Sequence, residues 1–186
     1  MGNEREFPKR RPTRLKDYDY SSVGVYFVTI CVQNRQQILS EIVREEAYKI
    51  TENQRASVGE GLAPPAYTVQ LKHCGEIVKE QLQQIEQRYT NVNVMDYVIM
   101  PDHIHMILYL RKVAGGASPS PTLDAVICAF KSLTSRSCKQ KYGIEKIFQR
   151  SFAEHIIRDR EDYETRRKYI FENPMRWYNK HMNTEK

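Results

Sequence analysis

The 186-residue chain carries 29 Lys and Arg against 23 Asp and Glu, a net charge of +6 and a pI near 9.1, with 40% hydrophobic and 28% charged residues. That composition excludes a disordered chain, and no apolar run approaches the roughly 18 residues a membrane helix needs. The modest basic lean suits a polyanion partner but decides nothing alone, and the four cysteines, with no C-x-x-C pair, exclude zinc-finger spacing and read as reduced thiols.

Taken in chain order, residues 1–20 are basic and proline-marked (Lys9, Arg10, Arg11, Arg14, Lys16) and end in Tyr18 and Tyr20. Two readings stay open for them: a solvated tail, or an arm that tracks phosphates and offers tyrosines for base stacking. The polar start contains no apolar signal segment, so the chain is read as cytoplasmic. Val23–Val32, rich in β-branched and aromatic residues, is a strand. Residues 34–70 are of mixed polarity, with a loop at Gly59–Ala66. Leu71–Tyr89 is a helix whose stripe is Ile77, Val78, Leu82 and Ile85. Two strands follow, Asn91–Met100 and His103–Leu110, with a break at Pro101-Asp102. After the linker Gly115–Pro121, Thr122 caps a helix with Leu123, Val126, Ile127, Phe130 and Leu133 on its core face. Ile147–Ile157 reads as a fourth strand. Asp159 caps a polar last helix that runs to about Glu172 and stops at Pro174.

The succession strand, helix, strand, strand, helix, strand is that of an α+β, ferredoxin-like βαββαβ sheet, here with a trailing C-terminal helix. The expected organisation is an arm over 1–20, a single domain over 21–178 and a tail over 179–186.

The densest chemical signal is His103-Ile-His105 within the apolar run Tyr97–Leu110. Alternate residues of a strand share a face, so the two imidazoles project together while Ile104 and Met106 point the other way. Neutral imidazoles so placed suit a divalent metal, although a half-buried strand with hydrogen-bonded histidines would look the same. Asp102 would point away on a regular strand and is left out of the ligand set. Further on, Tyr169 and Asn173 stand four apart and share one face of the last helix. An amide oxygen there could complete a metal site, and a phenol could serve as nucleophile. Tyr163, six positions earlier and about 240° round the helix, cannot share that face. His155 reads as a hydrogen-bonded strand residue.

Met100-Pro-Asp-His-Ile-His-Met-Ile107 resembles the His, bulky apolar, His motif of HUH single-strand DNA endonucleases. Tyr169-Ile-Phe-Glu-Asn-Pro174 with Trp177 resembles the tyrosine helix of REP-associated tyrosine transposases. Phe148–Arg158, Val32-Gln-Asn-Arg35 and Gly75-Glu-Ile-Val78 resemble further segments of those proteins, so the ordered set covers most of residues 23–178. Ser151-Phe152-Ala153 departs from the bulky aromatics common there, and 34–70 has no match.

The resemblance implies that His103, His105 and Asn173 hold Mg²⁺ or Mn²⁺ against a scissile phosphate, and that Tyr169 attacks it to leave a 5′-phosphotyrosine and a free 3′-hydroxyl. It implies a partner in single-stranded or hairpin DNA of the repetitive extragenic palindrome type, for a nucleoid-associated monomer or homodimer. Lys131, Arg136, Arg150 and Arg158, with Arg10, Arg11 and Arg14 of the arm, are the expected DNA-facing cations. No general base for Tyr169 is identifiable. Two other classes compete: a hairpin-binding module that no longer cleaves, opposed by the intact His-x-His, Tyr169 and Asn173, and a histidine-triad nucleotide hydrolase, opposed by Ile107 at the third alternating position.

Overall fold

The computed structural model describes residues 23–44, 67–112 and 121–182. The arm with Arg10, Arg11 and Arg14, the Gly59–Ala66 loop and nearly all of the Gly115–Pro121 linker lie outside them.

The central sheet has four strands, β1 (Gly24–Cys31), β4 (Val92–Ile99), β5 (His103–Leu110) and β6 (Ala153–Ile157), in the order β4-β5-β1-β6 with every neighbouring pair antiparallel. With α1 (His73–Gln83) and α3 (Leu123–Tyr142) as crossovers, this is the expected ferredoxin-like succession. One face of the sheet (Tyr26, Val28, Ile30, Ile104, Met106, Leu108) packs on Ile77, Val78 and Leu82 of α1 and on Val126, Ile127 and Phe130 of α3. The opposite face (Phe27, Ile107, Val98, Ile157) takes the last helix, α4 (Arg160–Met182), through Ile170. Period-two alternation in β1 and β5 therefore feeds two separate cores, and the histidines fall on the α4 side.

The caps behave as their side chains dictate. Ala125 N donates to Thr122 Oγ1 at 3.2 Å, Gly143 ends α3 in the left-handed region at φ 70°, and Asp162 N donates to Asp159 Oδ1 at 2.8 Å to open α4.

Four expectations are corrected. Within 34–70 lies an antiparallel hairpin of β2 (Ser40–Arg44) and β3 (Tyr67–Leu71), which forms a second small sheet and pairs Ser40 with Leu71. Leu71 thus belongs to that strand, and the following helix starts at His73 and breaks at Gln84 before the short α2 (Ile85–Arg88). The fourth strand is only Ala153–Ile157; Phe148 makes an isolated bridge to Val32, Gln149 N donates to Cys31 O at 2.9 Å, and Lys131 Nζ donates to the Gln149 and Arg150 carbonyls, so the backbone before β6 finds its partners without joining the regular ladder.

The fourth correction concerns Pro174, which lies inside α4; the helix continues past the expected stop near Glu172 to Met182. An interior proline costs about 3 kcal/mol. Here Pro174 is buried, and beyond it Trp177 and Tyr178 pack on the α4-side core, the latter with its ring 5.1 Å from Tyr67 of the hairpin. Both rings are partly buried, and the apolar area they remove from water works against that cost.

A β-bulge at Met95 shifts the β4–β5 register between Val94 and Asp96 and brings Asp96 opposite Ile107. Asp96 then accepts from Tyr163 Oη at 3.1 Å and pairs with Arg167 at 3.5 Å, which fixes the rotation of α4 on the sheet.

Candidate active site

The β1–β5 register sets the floor of the site. Thr29 is opposite His105 and Cys31 opposite His103, and the two imidazole centroids stand 4.6 Å apart. Both rings are buried and both are tethered at Nδ1. His105 Nδ1 lies 2.9 Å from Thr29 Oγ1, and His103 Nδ1 lies 2.5 Å from Asp102 Oδ1. A carboxylate can only accept here, so His103 carries a proton on Nδ1, which leaves Nε2 as the ring atom that could ligate a metal. His105 Nε2 is buried and has no hydrogen-bond partner among the described residues. A buried imidazole nitrogen left bare beside a second imidazole is what a metal ligand requires, and a carboxylate behind the ring is its usual support.

Electrostatics agree. Burial first, then the neighbouring His103 and Arg35, push His105 down to about 3, so it is neutral and able to ligate at any ordinary pH. Burial raises the Asp102 carboxyl, but the hydrogen bond and charge of His103 together with Arg35 outweigh it and hold Asp102 below its usual range.

Above this floor lies α4. The Tyr169 ring stands edge-on to His105, centroids 5.2 Å apart, and edge-on to Phe27 at 6.0 Å, while Phe27 itself stacks on His105 at 5.1 Å. Asn173, one turn on, is 6% exposed. Trp177 is 5.8 Å from His103 and stacks on His181 at 4.0 Å, and the Arg176 guanidinium lies 5.7 Å from the Tyr169 ring centroid. Arg35, Asp102, His103, Tyr169, Asn173, Arg176, Trp177, Lys180 and His181 line one cavity of about 350 Å³. Among the described residues no three of His, Cys, Asp and Glu converge as a metal cluster, so a metal on the histidine pair would need a third protein donor of another kind, and Asn173 is the amide in that cavity.

A family model described as "Transposase IS200 like" matches residues 66–173, more than half of the chain. The chain belongs to the IS200-like transposase family. An uncharacterised Haemophilus influenzae protein is 27% identical to this chain over 183 residues, covering 90% of this chain and 89% of its own length. A second protein of that organism, named a REP-associated tyrosine transposase, is 31% identical over 84 residues, 42% of this chain and 47% of its own. A solved structure of a REP-associated tyrosine transposase bound to a REP hairpin superposes with a TM-score of 0.52 at 19% identity, covering 82% of this chain and 67% of that one, a likeness of fold. The resemblance to REP-associated tyrosine transposases carried by the motifs is thus borne out. No helix among the described residues is long and apolar enough to cross a membrane.

The structure brings His103, His105, Tyr169 and Asn173 together. Tyr163 is held elsewhere by Asp96. His155, opposite Phe27 in the β1–β6 register, lies 2.7 Å from Asp162 Oδ2 and 3.3 Å from Arg166. Of the other expected cations, Arg136, Arg150 and Arg158 are exposed and lie outside the cavity lining, and Lys131 is half-buried with its ammonium on two backbone carbonyls. Five contributors, Asp102, Thr29, Arg35, Arg176 and Trp177, carry no assigned role from sequence. Asp102 had been set aside by alternation, but it precedes β5 in the Met100–His103 link, where alternation does not apply. Thr29 becomes visible only with the β1–β5 register, Arg35 only with the turn after β1, and Arg176 with Trp177 only once α4 continues past Pro174. The Trp177 of the transposase-like motif was the one sequence signal that pointed there.

Proposed function

We propose that this protein is a divalent-metal-dependent single-strand DNA endonuclease and strand-transfer enzyme that nicks and rejoins DNA beside hairpins through a 5′-phosphotyrosine on Tyr169. The observation that carries this reading is the placement of the Tyr169 ring over a histidine pair whose Nδ1 atoms are both tied back, with the buried Nε2 of His105 left bare.

His103, His105 and Asn173 would hold Mg²⁺ or Mn²⁺. When bound, such an ion polarises a phosphoryl oxygen and stabilises the charge of an in-line displacement. Asp102 and Thr29 fix the imidazoles before DNA arrives, so little reorganisation accompanies the reaction. Tyr169 Oη attacks phosphorus, the bond to the 3′-oxygen breaks, and the proton given up by the phenol is balanced by the one the 3′-oxygen gains. One phosphoester replaces another, so the step runs backward as strand joining. Phe27 packs against the Tyr169 ring and, with the Asp96 clamp on α4, restricts the phenol to one approach.

The test incubates end-labelled single-stranded DNA bearing a hairpin with the protein, with Mn²⁺ or with EDTA, and reads covalent protein–DNA species on a denaturing gel. An adduct should form only with metal, persist in Tyr163→Phe and disappear in Tyr169→Phe, whose fold and DNA binding survive. An adduct that survives Tyr169→Phe removes this tyrosine from the role. No adduct from the unmutated protein, across several hairpins with metal present, replaces the reading with a DNA-binding module that does not cleave.

A further inference from the structure

The turn after β1 contains the two non-glycine residues that hold positive φ among those described, Asn34 (φ 53°, ψ 21°) and Arg35 (φ 55°). Asparagine enters the left-handed region readily; arginine does so only under strain. The backbone here is pinned on three sides: Val32 N to Asp102 O at 2.8 Å, Gln33 N to Ile147 O at 2.7 Å and Arg35 N to Val32 O at 3.1 Å. A glycine would serve that backbone better, so the side chain must account for the residue.

What the side chain does inside the protein is slight. Its guanidinium meets Asp102 Oδ2 at 3.4 Å, and the arginine side chain is 56% exposed. An ion pair that long and that wet contributes little. Yet Arg35 lines the same cavity as His103, Tyr169 and Asn173, and Arg176 and Trp177 line it too. Arginine carries five donors in a planar fork that matches phosphate oxygens, and one contact to Asp102 leaves most of them available.

We propose that Arg35 is a phosphate-binding residue of this site, gripping the non-bridging oxygens of a backbone phosphodiester in the DNA strand beside Tyr169, and that the strained turn exists to hold it there. This rests on the DNA-processing reading above. The competing role is positioning: Arg35 would merely keep Asp102 aimed at His103.

The experiment compares the unmutated protein with Arg35→Gly, Arg35→Ala and Arg35→Lys. It measures equilibrium binding of a labelled hairpin with a single-stranded flank across a salt series without metal, Mn²⁺ affinity without DNA, and the melting temperature. Loss of a charge-assisted phosphate contact should weaken DNA binding roughly ten- to a hundredfold in Arg35→Gly and Arg35→Ala. The log–log salt slope should shrink by about 0.7 for one single-strand phosphate. Arg35→Lys should restore the slope but only part of the affinity. Arg35→Gly, relieved of strain, should melt no lower than the unmutated protein, and Mn²⁺ affinity should hold in all three. Wild-type DNA affinity and slope in the glycine and alanine variants would overturn the proposal, as would Mn²⁺ affinity lost with DNA binding intact. If the unmutated protein binds neither the hairpin nor its single strand, the DNA-processing reading itself fails, and that is visible before any variant is compared.

Discussion

Replacing Asp102 by alanine isolates the support behind the histidine pair. Asp102 is 6% exposed, with one carboxylate oxygen 2.5 Å from His103 Nδ1 and the other 3.4 Å from the exposed Arg35. The Arg35 contact can be neglected, since exposed pairs contribute about 0–1 kcal/mol. The His103 bond cannot. A buried hydrogen bond to a charged group contributes about 1.5–3 kcal/mol. Independently, removing a carboxylate behind a metal-binding histidine costs roughly ten- to a hundredfold in metal affinity, about 1.4–2.7 kcal/mol. The two figures coincide because each describes a ring freed to rotate and to lose its tautomer. We therefore expect Asp102→Ala to bind Mn²⁺ roughly ten- to a hundredfold more weakly at pH 7, with adduct formation falling in step. Asp102→Asn keeps an acceptor oxygen without the charge and should fall between. The sign of the pH dependence follows from the depressed carboxyl: the stability Asp102 contributes is full above its unfolded value and is lost as pH falls through the lower folded one. Titration of free Mn²⁺ by electron paramagnetic resonance reads the affinity directly. If Asp102→Ala binds Mn²⁺ like the unmutated protein while His103→Ala does not, the carboxylate is not what prepares the ligand.

Three further outcomes follow from neighbouring contacts. Because His105 is held down to about 3 against an ordinary 6.5, the unfolded chain binds a proton between those values that the folded one refuses; the metal-free protein should lose stability as pH falls from 6.5 towards 3, and His105→Gln should flatten that part of a urea-unfolding pH series. Thr29→Val keeps the shape but leaves His105 Nδ1 without its 2.9 Å partner, so unfolding free energy should drop by about 1–3 kcal/mol in a urea titration; an unchanged midpoint would deny the tether. A Cβ at Gly75 would stand 2.0 Å from the Leu39 carbonyl oxygen, so Gly75→Ala should cost about 1–3 kcal/mol or more through forced backbone movement at the start of α1. A wild-type melting temperature for Gly75→Ala would show that this approach is slack.

Much of the scaffold was legible locally. Alternation in His103–Leu110 puts two imidazoles on one face whatever the sheet around them, and Thr122 and Asp159 announce their helices because a cap is satisfied within one turn. The four-residue spacing of Tyr169 and Asn173 likewise requires nothing beyond the helix itself. The rest depends on partners far along the chain. The Ser40–Arg44 and Tyr67–Leu71 strands are short and mixed in polarity, and they become a hairpin only by pairing with each other across the intervening segment. α4 outlasts Pro174 only because Tyr67 and the histidine floor give Trp177 and Tyr178 somewhere to pack. Asp102 and Arg35 sit where regular repeats end, so no periodicity says where their side chains point. Residue types and local period fix which groups share a face; only register and packing between distant segments decide which of those faces meet.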